Sequence, residues 1–269
     1  MQAMENVGPA IQVSAITGEL GTRRFGRQVI YRASVNSTND LAKDLADAGE
    51  PEGTLVIADE QTAGRGRMAR GWVAPARSSI LMSIILRPAL APHQLARAVM
   101  GLALGACDAI HMATGLDAAL KWPNDILVNG KKCAGLLAEA KIVGEQVEYL
   151  IAGLGINANF AAASVPTIPS EATTIADELG GPLAREPLVR AILTRSETYY
   201  DRMNAGENLR QEWAARLSTL HRQVHALTPW GKEVGVAEGV DDDGALVVRR
   251  ADGSTIALWA GDVTLTSRP

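Results

Sequence analysis

Apolar residues recur along this chain with a period of two in some stretches and nearly four in others, and the changes of period mark its elements. Val29, Ile30 and Tyr31 predict a first strand over residues 27–32, where the folded core is expected to begin. From 37 to 48, Leu41, Leu45 and Ala48 fall on one face of a helix. Ser37 stands as its N-cap with Asp40 three residues on, and Gly49-Glu50-Pro51 ends it. A strand at 54–58, a Gly/Arg loop at 61–71 and an apolar strand at 80–86 follow. Leu95, Val99, Leu102, Ala106 and Ile110 then space out an amphipathic helix over 93–112.

Strands are expected next at 118–122, 126–128, 133–140 and 147–153, the middle two joined by the hairpin signal Asn129-Gly130. After a Pro-containing loop at 165–170, helical patterns occupy 187–204 and 207–218. The texture then changes to short strands at 223–227, 232–240, 245–249 and 255–259, with turns at Asp243-Gly244 and Asp252-Gly253, which fits a small β-barrel. The expected fold class is α+β: a mixed, largely antiparallel sheet flanked by helices, with a small C-terminal barrel. Three regions follow, namely an N-terminal extension (1–24), a main domain (25–219) and the barrel (220–269).

Composition narrows the function classes. The 269 residues are 47% hydrophobic and 21% charged, close to an average globular chain, which argues against disorder. The apolar runs are broken before reaching the roughly 18 residues a membrane span needs. The first twenty residues lack a basic head followed by an apolar stretch, so no secretory signal is expected and the location is read as cytoplasmic. In a reducing compartment Cys107 and Cys133 read as two buried thiols. A net charge of -4 and the lack of any long Lys/Arg run argue against nucleic acid as a partner.

Three segments carry candidate chemistry. In Gly64-Arg65-Gly66-Arg67-Met68-Ala69-Arg70-Gly71-Trp72 the glycines let backbone N–H groups curl toward an anion, and each guanidinium offers a fork of donors to phosphate or carboxylate. The same loop can equally be a solvated basic turn. Lys121-Trp122-Pro123-Asn124-Asp125 packs a point charge, an aromatic plane, a rigid turn, an amide and a carboxylate that can hold Mg²⁺ into five positions, against the plainer reading of a surface lysine and a turn. Ser37-Thr38-Asn39 offers either a polar ligand site or simple helix capping. Other patterns fail on context. Gly153-Leu154-Gly155 follows a strand but opens no helix, as a dinucleotide site requires. His221 and His225 lack the glutamate of a zinc motif, and Asp241-Asp242-Asp243-Gly244 is too short for a calcium loop.

Taken in order, these segments resemble the signatures of biotin protein ligases: Ser37-Thr38-Asn39, Gln61 to Arg67, Arg70-Gly71-Trp72, Lys121 to Asp125, Ala134 to Glu139 and Gly153 to Asn157. The resemblance runs from about Arg27 to the C terminus and leaves the first stretch unaccounted for. It implies a class II synthetase-like biotin/lipoate ligase domain followed by an SH3-like barrel. It also implies an enzyme that uses ATP and Mg²⁺ to activate biotin and passes it to a biotin carboxyl carrier protein of a biotin-dependent carboxylase. On the family's pattern Ser37, Thr38, Asn39, Gln61, Gly64, Arg65, Gly66, Arg67 and Lys121 would bind biotin, with Lys121, Arg65 and Arg67 carrying the catalytic charge. Arg67, Arg70, Trp72, Asn124 and Asn157 would face the nucleotide, and Asp125 is the candidate Mg²⁺ ligand.

The Gly/Arg loop would order over the adenylate and exclude water. Ala69 departs from the family, in which many members carry a third loop glycine. The related lipoate or octanoate ligases lack this Gly-Arg-Gly-Arg loop. The family's repressors carry an N-terminal helix-turn-helix, for which the residues before Arg27 are too few, so a monofunctional ligase is expected. A homodimer through a sheet edge stays open.

Overall fold

The computed structural model describes residues 8–265. The first sheet contains β1 (Val29–Arg32), β2 (Leu55–Ala58), β3 (Ser79–Leu86), β4 (Ala118–Lys121), β5 (Asp125–Val128), β6 (Lys131–Val143) and β7 (Gln146–Asn157), in the order β1-β2-β3-β7-β6-β5-β4. Its one parallel pair is β1–β2, because α2 (Thr38–Asp47) carries the chain back across the sheet between them; the other neighbours are antiparallel. Asn129 and Gly130 both take left-handed φ (50° and 78°), the turn their dipeptide predicts between β5 and β6.

Strand alternation sends two residue sets to opposite faces. On one face Ile80, Met82, Ile84 and Leu86 of β3 join Leu150, Ala152, Leu154 and Ile156 of β7 in the main core. Over that core pack α3 (Leu95–Thr114) and α5 (Arg185–Asn204), so close at Gly105 that a Cβ there would stand 2.6 Å from the Ser196 nitrogen. Residues 92–114 reach a mean hydropathy of 1.3 and would suit a membrane span on length and composition. Eleven residues of α3 are nevertheless buried within the protein, which makes it the core helix of this fold. On the other face, Ala42 and Ala46 of α2 cover Val56, Ile85, Tyr149 and Ile151. α2 reaches β6 only through polar side chains, Asn39 and Lys43 to Glu139 and Asp47 to Lys141, and the part of that face beyond it, toward β5 and β4, is where the candidate site lies.

The second sheet, β8 (Gln223–Thr228), β9 (Gly231–Val240), β10 (Leu246–Arg249), β11 (Thr255–Leu258) and β12 (Asp262–Leu265), is antiparallel throughout, in the order β11-β10-β9-β8-β12. Polar links fasten it to the rest of the fold: Trp122 Nε1 donates to the Gly244 carbonyl at 2.9 Å, Arg97 pairs with Asp243 at 2.7 Å, Arg210 with Asp242 at 3.5 Å, and Arg70 with Asp262.

The structure differs from the sequence reading at the N terminus. The core begins well before Arg27: α1 (Val13–Thr17) buries Ile16, and Ile11, Leu20 and Phe25 are buried beside it. A buried ion pair, Arg185–Asp59 at 2.9 Å, holds this segment, with Arg185 also donating to the Pro9 carbonyl and Asp59 accepting from the Ile11 nitrogen. The short helices α4 (Ile175–Leu179) and α6 (Arg210–Arg216) and the strand β12 also depart from the predicted elements, which had no counterpart of α4 or β12 and a longer helix over α6.

Candidate active site

Register alone assembles the floor of the site. Leu81, Gly155, Gly135, Asp125 and Lys121 are successive cross-strand partners and form one row across β3, β7, β6, β5 and β4 on the face α2 leaves open. Ser83, Gly153 and Leu137 form the neighbouring row. The glycines keep the middle of this floor bare. A Cβ on Gly155 would stand 2.6 Å from the Trp72 ring, and one on Gly153 would collide with Asn39 Oδ1. The pattern Gly153-Leu154-Gly155 is therefore strand interior, used for close approach of other groups to the backbone.

At the α2 end of the floor the predicted polar residues meet. Ser37, Thr38 and Asn39 are all buried, and Ser37 sits at the N-cap of α2 without a side-chain capping bond. Gln61 Oε1 accepts from the Thr38 nitrogen at 2.8 Å, and the Thr38 hydroxyl lies 3.1 Å from it. Ser83 Oγ stands 2.8 Å from Thr38 Oγ1 and 2.6 Å from Asn39 Oδ1. Ser83 had no place in the sequence reading; its signal is a serine set between Met82 and Ile84 in the apolar run of β3.

At the opposite end is Lys121. Its side chain makes no hydrogen bond or ion pair with any described residue, and it projects to the floor side because Leu120 faces the core. Asp125 beside it is already engaged: Lys132 Nζ lies 2.6 Å away and also stands 5.9 Å from the Trp72 ring centroid. Among the described residues no three His, Cys, Asp or Glu side chains gather as a metal site. Asp125, though paired with Lys132, is the carboxylate of this row that could join substrate phosphates in holding Mg²⁺. Lys132 itself was not singled out from the sequence, where it reads as half of a basic doublet after a turn.

The Gly/Arg loop is folded as a narrow hairpin. Trp72 N donates to the Gly64 carbonyl at 2.9 Å and Gly66 N to the Arg70 carbonyl at 2.7 Å, with Met68 and Ala69 at the tip in left-handed conformation (φ 54° and 58°). The structure separates the three arginines. Arg65 turns to Asp40 (2.6 Å) and Glu139 (2.8 Å), Arg70 reaches across to Asp262, and Arg67 keeps only the amide oxygen of Asn124 at 3.3 Å. Burial lowers the pKa of the half-buried Arg67 guanidinium, with Asp125 and Asp262 opposing. Asn124 also donates to the Leu136 carbonyl at 2.6 Å. Asn157 lies on the floor face, but its amide is committed to the Thr173 carbonyl at 3.1 Å. Trp72 rests on Gly155 with its Nε1 buried and unpartnered. Outside the loop a cavity of about 790 Å³ opens between residues 63–71, Asn124, Glu139, Met100 of α3 and, from the second sheet, Gly244 and Trp259.

The arrangement therefore offers a polar pocket, a bare apolar floor, an unpaired lysine and a desolvated arginine in sequence, followed by a cavity large enough for a second ligand. Comparison with known proteins agrees. Residues 31–157 match the model of the biotin/lipoate A/B protein ligase family, and 219–265 match the biotin protein ligase C terminal domain. The chain is 34% identical to the biotin–[acetyl-CoA-carboxylase] ligase of Mycobacterium tuberculosis over 98% of both chains. It is also 34% identical to the bifunctional ligase/repressor BirA of Bacillus spizizenii, over 94% of this chain and 78% of that one. Among solved structures, the biotin protein ligase from Aquifex aeolicus in complex with biotin and ATP is 26% identical and superposes with a TM-score of 0.73 over 90% of this chain and all of that one (100%). With both sheets matched in order, the chain belongs to the biotin protein ligases of the biotin/lipoate A/B protein ligase family.

Proposed function

We propose that this protein joins biotin to ATP, forming biotinyl-5′-AMP and pyrophosphate, and then transfers the biotinyl group to one lysine of a biotin carboxyl carrier protein, releasing AMP. The observation that carries the proposal is the row Gly155–Gly135–Asp125–Lys121, whose two glycines let Trp72 lie flat on the sheet and which ends at a cation with no partner among the described residues. From Gly155 to Lys121 the row crosses three strand spacings, ~14 Å. That length suits a ligand with a polar head at Thr38, Asn39 and Gln61, an apolar middle against the Trp72 ring that rests on the glycines, and a carboxylate at Lys121. Ser37, Gly64 and Gly66 complete the head site, the glycines by letting backbone pass close to the ligand.

The first step brings a carboxylate against a triphosphate, so positive charge must already stand where the two anions meet. Lys121, with no internal partner to give up, supplies it on the biotin side. Arg67 supplies it on the phosphate side, where partial burial strengthens each charge interaction. Trp72, Asn124 and Arg70 line the nucleotide side, while Asn157 contributes by holding the floor. A Mg²⁺ ion accompanying the triphosphate would be shared between phosphate oxygens, water and at most one or two carboxylates, of which Asp125 is the candidate, and would offset negative charge there. Residues up to 219 form the ligase domain on this reading. The second sheet belongs to a C-terminal unit, read from the sequence as 220–269 and described through 265, whose Gly244 and Trp259 wall the nucleotide cavity.

The test is pyrophosphate release and the mass of the bound acyl-adenylate, with Mg·ATP plus biotin or lipoate. Biotin alone should support both. Lys121→Met should lower kcat/KM by about 10²-fold or more, the scale for losing a preorganised charge contact. Lipoate activity would move the function to the sister enzymes, and silence with both acids would defeat the proposal.

A further inference from the structure

A polar cluster bordering the site is centred on a carboxylate that the reaction above does not use. Glu139, on β6, accepts from Asn39 Nδ2 at 2.8 Å and Lys43 Nζ at 2.9 Å, both on α2, and from Arg65 of the loop at 3.1 and 2.8 Å. Asp40 shares Arg65 and lies 3.2 Å from Lys43, so two carboxylates and two cations neutralise one another. Three elements that are distant in sequence thus meet at one carboxylate.

We propose that Glu139 is a positioning residue for biotin recognition. It acts through the Asn39 amide and the Arg65 guanidinium and does not touch the ligand itself. The inference rests on the ligase reading above, since that reading places the polar head of biotin beside Asn39.

Two consequences follow from the geometry. An ionised carboxylate only accepts, so Asn39 must turn its NH₂ toward Glu139 and its oxygen toward Ser83. The single Ser83 proton then goes to Asn39 Oδ1. The Thr38 hydroxyl proton is used on Ser83 or Gln61, which leaves a Thr38 lone pair to receive an N–H of the ligand. Glu139, with the Leu137 carbonyl that accepts from the same Asn39 amide at 3.2 Å, thereby sets the donor and acceptor polarity of the head pocket. The second consequence concerns the loop. Arg65 is bridged to Gly71 at the base of the hairpin, so holding its guanidinium against β6 and α2 holds the loop over the floor. With its guanidinium shared between two carboxylates, Arg65 serves as an anchor, and Lys121 and Arg67 are left as the cations that meet the reacting anions.

Glu139→Gln, nearly the same shape but uncharged, should raise KM for biotin about tenfold or more and change kcat less than about threefold, as expected when charge-assisted hydrogen bonds are lost. Glu139→Asp should recover part of that loss. Lys43→Met, which removes a neighbour of the same carboxylate without touching Asn39 or Arg65, should stay within about twofold of the parent. Trypsin cleavage after Arg67 and Arg70 in ligand-free protein reads the anchor without reference to activity, and should accelerate in Glu139→Gln and not in Lys43→Met. An unchanged KM and cleavage rate in Glu139→Gln, or equal effects of Glu139→Gln and Lys43→Met, would overturn the proposal. Failure of the parent enzyme to activate biotin would instead defeat the ligase reading, and the cleavage comparison would still decide whether Glu139 anchors the loop.

Discussion

Gly155→Ala separates folding from function at a single methyl group. The new Cβ would stand 2.6, 2.8 and 3.1 Å from three atoms of the Trp72 ring, where carbon atoms settle at roughly 3.5–4.0 Å. The ring must therefore lift by about 1 Å. Trp72 belongs to a loop and can move, so the cost to the fold should sit at the low end of the ~1–3 kcal/mol typical of overpacking. Replacing a strand glycine returns roughly 0.5–1 kcal/mol of that, since Gly155 has no left-handed φ that alanine would resist. Net destabilisation should be about 0–2 kcal/mol, a fall in Tm of no more than about 8 °C for a chain of this size. Catalysis should suffer far more, because misplacement by ~1 Å in a preorganised site can cost about 10²-fold. Calorimetry alongside biotin-dependent pyrophosphate exchange reads both quantities. Normal exchange in a protein of normal Tm would refute the argument that the bare floor at Gly155 exists for the site.

Two further outcomes follow from particular residues. Ala69 holds φ 58° at the loop tip, a conformation costing roughly 1–2 kcal/mol for residues with a Cβ, of which glycine's greater loss of backbone entropy cancels roughly 0.5–1 kcal/mol, so Ala69→Gly should favour the folded hairpin and slow release of the acyl-adenylate about two- to fivefold; an unchanged release rate contradicts this. Burial tends to raise the pKa of Glu139, but Lys43, Asn39 and Arg65 outweigh it and hold the carboxyl below its ordinary value. The depressed pKa means that the anchor is complete at neutral pH and is lost as pH falls through that lowered value, so KM for biotin should climb on the acid side in the parent and stay flat in Glu139→Gln.

The sheet and the two long helices were legible because their apolar periods are strong and their turns carry distinctive residues, Asn129-Gly130 above all. Several boundaries moved outward. β6 runs from Lys131 to Val143 because a hairpin arm can extend past the core once its backbone is paired, and β7 continues through Gly153 and Gly155 because a strand tolerates glycine where another group packs on it. The N-terminal segment could not be read in advance. Its attachment depends on Arg185 meeting Asp59, 126 residues away in sequence, and no local pattern announces such a pair.

The site shows the same division. Lys121, the Gly/Arg loop and Thr38-Asn39 stood out by density of chemistry. The separate tasks of Arg65 and Arg67 did not, since they depend on which carboxylates lie across the fold. Arg65 finds Asp40 and Glu139, at separations of 25 and 74 residues, while Arg67 finds only an amide. Asp125 looked available for a cation and proved to be paired with Lys132, seven positions on.

The most direct test of the account uses an apo biotin carboxyl carrier domain, Mg·ATP and equal concentrations of biotin, lipoate and octanoate, with intact-mass analysis of the carrier. The account predicts one biotinyl group on one lysine and no other acyl group. A carrier that gains lipoyl or octanoyl, or stays unmodified while the enzyme binds biotin, would contradict it.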